Sequence, residues 1–522
     1  MDVRGKTISL VEWRDIIEDM VENPRDEPIW NVASADEDDR EYDSIIIGGG
    51  AAGRFSAAFT RARGGRVMVV DKWPFLGGSC PHEACVPHHV FSESARELDL
   101  ARWFSGQLWF SEFDEKRASI TEIIRLFTEN RAFAHAIMNF QSKDQLHMEY
   151  VLNTAAKVID NHTVEVAGRQ FRTRNIVLAT GARPVVPDVP GIDMRGVFNY
   201  SNMLYALDYE PNRCVIIGGS KVAIEYGSFF QATGCRTTIL TRSPLMRTAS
   251  MHHVDEGLRQ KVLEHMRIRG VDVLEGAVPV EVLGNGKVAG VRFRTADGTE
   301  HTLDCDFVFL GTGEQAQSQP FVDALGVETD ERGNIRVDLT CRTSVEGVYA
   351  VGDLIGPPME MFKARKTGCV AARNIMGEHW EWDYRDYPDF LHSTYEIAWT
   401  GLSEEEARAK YPKIMKIQMP PEGLTNKEVG MPASDGTMLY AMRYPELTGF
   451  CKLLVNAETR KIVGAHYLGY GIKNAFQYID FLMRRPEGFS LDEMGEVNEL
   501  FLNELFPQLA RLRAGQLELE DL

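Results

Sequence analysis

Two short apolar runs in this chain each end in a glycine-rich loop, and few architectures accept that pattern twice. Asp43-Ser44-Ile45-Ile46-Ile47 leads into Gly48-Gly49-Gly50-Ala51-Ala52-Gly53, then a helical stretch of small and apolar residues, then Arg66 to Val70 closing on Asp71. Cys214-Val215-Ile216-Ile217 leads into Gly218-Gly219-Ser220-Lys221-Val222-Ala223, a further helix and the strand-like Thr237 to Leu240. A buried strand, a glycine turn and a helix opening on that turn form a dinucleotide-binding unit. The glycines allow the tight turn, the close approach of a pyrophosphate and the close packing of helix on strand. The free N–H groups and the dipole of the helix N-terminus then face the phosphates. The expected fold class is α/β with two dinucleotide-binding domains of the Rossmann type.

At 522 residues the chain is too long for a single ordinary core. Residues 1–40 read as an extension outside the main fold: one amphipathic stretch from Ile8 to Val21, then an acidic segment ending Ala35-Asp36-Glu37-Asp38-Asp39. Residues 41–190 with 320–385 are assigned to the first nucleotide domain and 191–319 to the second. In 386–522 the pattern changes to strands at Leu439 to Arg443, Gly449 to Val455 and Lys461 to Leu468 with helices between them, the mark of a separate α+β domain. A net charge of −19 argues against nucleic acid as a partner and requires that any anionic substrate be met by locally placed arginines. No apolar run approaches the roughly 20 residues needed to span a bilayer. The N-terminus lacks the pattern of a signal peptide, so a cytoplasmic location is the default expectation.

The two nucleotide loops differ. In the first, Gly48, Gly50 and Gly53 keep the full spacing, and Asp71 at the end of the next strand is placed to accept hydrogen bonds from a ribose. In the second, Ser220 stands where the middle glycine is usual, and the next strand ends Leu240-Thr241-Arg242 without an acid. A missing carboxylate and an added arginine suit a 2′-phosphate, so NADPH is expected there, with Arg242 as the phosphate ligand.

Of the eight cysteines only Cys80 and Cys85 are close in sequence, in Gly77-Gly78-Ser79-Cys80-Pro81-His82-Glu83-Ala84-Cys85-Val86-Pro87. The other six read as small buried hydrophobes. Residues five apart on an ideal helix have Cα atoms about 8.6 Å apart, and a disulfide tolerates at most about 7 Å. Cys80 and Cys85 therefore cannot share one regular helix. The glycines and Pro81 predict a chain that bends into a helix just after Cys80, whose N-terminus would favour thiolate.

The chain resembles the pyridine-nucleotide-disulfide oxidoreductases. The resemblance is carried by Gly48 to Gly53, by Leu76-Gly77-Gly78-Ser79-Cys80 through Cys85-Val86-Pro87, by Ala179-Thr180-Gly181-Ala182-Arg183-Pro184, by Tyr349-Ala350-Val351-Gly352-Asp353, and by Gly449-Phe450 and Val463-Gly464-Ala465-His466. It implies FAD at the first site with Gly181 and Asp353 among its contacts, Asp353 on the ribityl chain. It also implies NAD(P)H at the second site with Glu225 near the nicotinamide, and a homodimer formed through the C-terminal domain. Electrons would pass from NADPH through FAD to the disulfide, with Cys85 facing the flavin and Cys80 facing substrate.

Three departures narrow the resemblance. His88-His89 stand where ordinary members carry a lysine, Phe501 stands where they carry a proton-donating histidine, and no C-terminal Cys-Cys is present, which argues against mercuric reductase. One branch of the family is similar in these respects, the 2-ketopropyl coenzyme M oxidoreductase/carboxylases. The similarity runs through Gly53-Arg54-Phe55, Trp73 to His89, Met138 to Lys143, Met359 to Lys366 and Arg511 to Gly515. It implies that Arg54 and Arg365 hold a sulfonate and that His82, His135, Met138 and Gln508 line a pocket for CO2 and acetoacetate. Cys80 would cleave the thioether of 2-ketopropyl coenzyme M, and Phe501 would deny the released enolate a proton so that it meets CO2. The segment Asn503 to Pro507 is shorter than in that branch and lacks its histidine. Three alternatives stay open: a reductase of a small anionic disulfide, a related enzyme acting on another thioether ketone, and a flavoprotein without turnover.

Overall fold

The computed structural model describes residues 1–34, 40–105, 118–248, 251, 254–383, 387–429, 438–490 and 493. Three sheets organise them. The first has six strands in the order Ile29–Asn31, Glu149–Leu152, Val67–Val70, Ser44–Ile47, Ile176–Leu178, Val348–Ala350. All neighbouring pairs are parallel except the outermost, Ile29–Asn31 against Glu149–Leu152. Ser44–Ile47 and Val67–Val70 are buried along their whole length, as strands covered on both faces must be.

The second sheet is all parallel, in the order Val197–Phe198, Phe307–Leu310, Arg213–Ile217, Arg236–Thr241, Asp272–Glu275, with a three-stranded antiparallel flap from Val278 to Asp304 beside it. The third, Asp389–His392, Glu396–Gly401, Ile462–Gly469, Phe450–Asn456, Ile414–Met419, is antiparallel and packs the helix Ile472–Met483. The fold class is the expected one: two dinucleotide-binding α/β domains and a C-terminal α+β domain.

Two expectations are corrected. Residues 1–34 do not lie outside the main fold. The helix Leu10–Glu22 buries Trp13, Ile17 and Met20 against the helix Ile120–Phe140, and Ile29–Asn31 extends the first sheet by one strand. Each such buried side chain contributes about 1.5–3 kcal/mol, enough to fix a segment that sequence spacing alone leaves unattached. The run Leu439 to Arg443, expected as a strand, belongs to a helix, Met438–Arg443. Its Leu, Ala, Met and Arg are helix formers, and the turn sets Tyr440 against Phe104 and Tyr470 while leaving Met442 in solvent.

Candidate active site: two nucleotide loops and a dithiol

The first loop is close-packed by its glycines. At Gly48, with φ +107°, a Cβ would stand 2.3 Å from the Ala179 carbonyl oxygen, and at Gly53 it would stand 1.9 Å from that of Gly48. Gly50 precedes the helix Ala51–Ala62 with no side chain capping it, which leaves the first N–H groups open to a phosphate. Asp71 ends its strand as expected and accepts from Gly49 N at 2.5 Å and Trp73 N at 2.9 Å; burial raises its pKa and these two bonds oppose the rise. Asp353 follows the strand Val348–Ala350, and its Oδ1 is buried without a hydrogen-bond partner. Gly181 has φ +70° and faces open space. An orphaned carboxylate oxygen, an uncapped helix and a glycine cradle fit a bound dinucleotide such as FAD. Gly48, Gly50, Asp71, Gly181 and Asp353 all line one cavity of about 1590 Å³.

The second loop opens into the same cavity. A Cβ on Gly218 would stand 2.1 Å from the Gly311 carbonyl oxygen, and Ser220 precedes the helix Lys221–Ala232 without capping it through its side chain. Arg242 is exposed and lines the cavity just beyond the strand Arg236–Thr241. One turn into the helix, Glu225 accepts from His392 N at 2.8 Å and sits 3.3 Å from His88 Nε2. Burial pushes the Glu225 carboxyl up to about 8, with Glu360 and Asp389 adding to the rise and the His392 N–H and Lys221 opposing it.

The dithiol lies on the first loop. Gly77 N donates to Gly49 O at 2.9 Å, and a Cβ on Gly78 would stand 2.7 Å from Gly50 Cα. Cys80 sits inside a short helical turn, Ser79–His82; the chain breaks at Glu83 and Ala84 (φ −145° and −120°), and the long helix starts at Cys85 and runs to Phe104. This corrects the expected helix start just after Cys80: the break comes between the cysteines and lets their thiols hydrogen-bond, both being free. Cys80 Sγ–H also reaches Met361 Sδ at 3.3 Å. The bond from Cys85, with Arg365 acting in the same sense, lowers the Cys80 pKa against the opposing effects of burial and Asp353. The same bond, with burial, raises Cys85 well above its ordinary value. Within the pair Cys80 is thus the more acidic thiol and Cys85 the less acidic one.

Arg365, on the helix Met361–Ile375, lines the cavity and acts electrostatically on both Cys80 and Arg54; Arg54, on the helix Ala51–Ala62, does not line the cavity. Arg54 donates to Gln141 Oε1 at 2.5 Å and to Ser142 Oγ at 3.1 Å, both uncharged, and burial and Arg365 together lower its pKa. The Arg365 guanidinium lies over the Phe55 ring at 5.2 Å. Among the described residues no carboxylate pairs with either guanidinium. The sequence marks Gln141 and Ser142 only as part of the run Met138 to Lys143; their signal is that two neutral acceptors directly follow a long helix that ends beside Arg54.

His82, His135 and Met138 are brought together, but beneath the dithiol loop, and none of them lines the large cavity. His135 Nδ1 is 2.9 Å from Leu76 O, His135 Nε2 is 3.1 Å from His82 Nδ1, and His82 Nε2 is 2.5 Å from Tyr205 OH. A carbonyl only accepts, so His135 carries hydrogen on Nδ1, His82 Nδ1 donates to His135, and Tyr205 donates to His82. Burial drives His82 down to about 2 and His135 to about 4, so both rings are neutral. Met138 Sδ fills the space a Cβ on Gly77 would need. Phe501, Gln508 and the segment Asn503 to Pro507 lie outside the described residues.

Several known proteins are similar to this chain. The mercuric reductase of Staphylococcus aureus is 26% identical over 441 residues, 82% of this chain and 74% of that protein. The dihydrolipoyl dehydrogenase of Cupriavidus necator is 25% identical over 444 residues, 82% of this chain and 88% of that protein. Among solved structures, the HOCl-induced flavoprotein disulfide reductase RclA from Escherichia coli superposes with a TM-score of 0.72 at 20% identity, covering 88% of this chain and 96% of that one, a likeness of fold. No helix among the described residues is long and apolar enough to cross a membrane. Residues 42–368 match the pyridine nucleotide-disulphide oxidoreductase family and residues 387–486 match its dimerisation domain, and the chain belongs to that family of FAD- and NAD(P)H-dependent flavoprotein oxidoreductases.

Proposed function

We propose that this enzyme uses Cys80 to cleave the carbon–sulfur bond of a small anionic thioether, with 2-ketopropyl coenzyme M as the substrate and acetoacetate as the product. The observation that carries the reading is the arginine pair. Two guanidiniums within electrostatic range of one another, with no carboxylate paired to either among the described residues, repel, and an anion bound between them would remove that repulsion; a sulfonate accepts from several N–H donors at once. Arg365 acts electrostatically on both Arg54 and Cys80, so an anion held there keeps a substrate sulfur close to the thiolate.

FAD and NADPH, when bound, supply the two electrons that return a Cys80–Cys85 disulfide to the dithiol. Gly48, Gly50, Gly53, Asp71, Gly181 and Asp353 would hold the first cofactor; Gly218, Ser220 and Arg242 the second, with Arg242 selecting the 2′-phosphate and Glu225 beside the nicotinamide. The remaining steps belong to the side chains. The Cys80 thiolate attacks the thioether sulfur. A sulfur–sulfur bond forms, the carbon–sulfur bond breaks, and its electron pair leaves on carbon as an enolate. The enolate adds to CO2. Cys85, losing its proton, then attacks Cys80, closes the intramolecular disulfide and frees the coenzyme thiolate. Phe501, standing in the sequence where ordinary members carry a proton-donating histidine, supports carboxylation over protonation, because a placed acid accelerates proton transfer by about 10²–10⁴-fold and a phenylalanine has no proton to give. A homodimer is proposed as the working assembly, in line with the dimerisation domain.

Enzyme, NADPH, 2-ketopropyl coenzyme M and labelled bicarbonate should yield labelled acetoacetate. Acetone alone would overturn carboxylation. Turnover confined to coenzyme M disulfide or glutathione disulfide would overturn thioether cleavage in favour of a plain disulfide reductase.

A further inference from the structure

One lysine at the mouth of the second nucleotide loop joins three domains. Lys221 is the first residue of the helix Lys221–Ala232. Its ammonium does not point to solvent: it bonds Glu360 Oε1 at 2.5 Å and Asp389 at closer range, and lies over the Trp399 ring at 5.7 Å. Asp389 opens the first strand of the C-terminal domain. Glu360 immediately precedes the helix Met361–Ile375 and makes no side-chain cap to it, its carboxylate being turned to Lys221 instead. The next residue, Met361, accepts the Cys80 thiol, and Arg365, one turn further, faces both Cys80 and Arg54. The start of this helix therefore carries two of the groups that touch or stabilise the candidate nucleophile, and it is tied down by an ion pair to the nucleotide loop.

We propose that Lys221 is a positioning residue: through Glu360 it holds the start of the helix Met361–Ile375, and with it Met361 and Arg365, against Cys80. The proposal rests on the reading of Cys80 as the nucleophile. The charged and titratable groups facing Cys80 are Cys85 on the long helix, Arg365 on the Met361 helix and Asp353 on the turn after Val348–Ala350. Those facing Lys221 are Glu360, Asp389 and Tyr387. Glu360 also acts on Cys85 and on Glu225, so the ion pair sits between the dithiol and the nicotinamide side of the cavity.

The test uses reduced, flavin-loaded enzyme treated with iodoacetamide across a pH series, with each cysteine peptide quantified by mass spectrometry. The Cys80 thiolate displaces iodide, so the midpoint of its rate profile reports its thiolate fraction. Lys221→Met should raise that midpoint by about one pH unit, a roughly tenfold slower reaction below it. Lys221→Arg should leave it in place. Because Lys221→Met strands a carboxylate, the double variant Lys221→Met/Glu360→Gln is made alongside; it removes the stranded charge but leaves the helix start untethered, so its midpoint stays raised. A return of the double variant to the wild-type midpoint would assign the effect to the Glu360 charge and overturn positioning. Unmoved midpoints with lowered melting temperatures would reduce Lys221 to a structural brace and also overturn it. Preferential alkylation of Cys85 in the wild type would instead overturn the nucleophile assignment itself.

Discussion

Two titratable clusters flank the dithiol, and they are built on opposite principles. Beneath the loop, Tyr205, His82 and His135 form a chain in which every donor finds an acceptor, ending on the Leu76 carbonyl; it carries no charge and lies off the cavity. On the cavity side, Glu225, Glu360 and Asp389 gather about the single ammonium of Lys221, with His88 at 3.3 Å from Glu225. Three carboxylates and one lysine do not balance, and the mismatch is eased at Glu225, which burial pushes up to about 8, while Asp389 is raised to about 6. A closed neutral chain holds a loop in place. A charge-unbalanced cluster on a nucleotide cavity is where proton and electron transfer can be coupled.

The sharpest way to break this contrast is His135→Ala. It empties a site packed at 3.8 Å against the Phe75 ring and strands the His82 N–H and the Leu76 carbonyl. A loss of about 3–5 kcal/mol is expected in denaturant unfolding, with the pH profile of Cys80 alkylation unmoved. A shifted profile with unchanged stability would place His135 in the chemistry and erase the distinction.

The pH dependence of stability should differ in sign between the clusters. His82 titrates near 6.5 when unfolded and near 2 when folded, so stability is complete above about 6.5 and falls on acidification towards 2. Glu225 titrates near 4.5 unfolded and near 8 folded, so its contribution is complete below about 4.5 and is lost as pH rises through 8. Glu225→Gln should flatten the alkaline limb by a few kcal/mol and leave the acid limb alone; equal flattening of both limbs would contradict the separation.

Function rather than stability should suffer on the cavity side. Arg365→Met is expected to raise KM for the anionic thioether about 10–100-fold, the worth of charge-assisted hydrogen bonds, with little change for an uncharged analogue. The smallest effect is assigned to Tyr205→Phe. Tyr205 is half exposed, water can replace its hydroxyl at His82 Nε2, and a loss of about 0.5–1.5 kcal/mol is expected. A loss above that range would mean the chain is not self-sufficient.

The features legible in the sequence are those where local chemistry and spacing coincide. Gly48, Gly50 and Gly53 could be placed between strand and helix, and Asp71 after the next strand, because the spacing of a strand–turn–helix unit follows along the chain, and the break between Cys80 and Cys85 because helix geometry keeps a disulfide pair off one regular helix. Ile29–Asn31 was missed because a three-residue strand has no period of its own, and its partner Glu149–Leu152 is remote in sequence. Leu439 to Arg443 read as a strand because a short apolar run does not distinguish the two periods. Lys221, Glu360 and Asp389 come from three domains, so no spacing relates them. Gln141 and Ser142 matter only because the turn after a long helix aims them at Arg54.

The central claim is that Cys80 attacks sulfur. It is tested most directly in a Cys85→Ser variant, reduced with dithiothreitol, freed of reductant and given 2-ketopropyl coenzyme M without NADPH. With no resolving thiol, the account predicts that the Cys80 peptide carries mercaptoethanesulfonate as a mixed disulfide that a thiol reductant removes. An unmodified Cys80, or a reductant-resistant acetonyl adduct formed by attack on carbon, would contradict it.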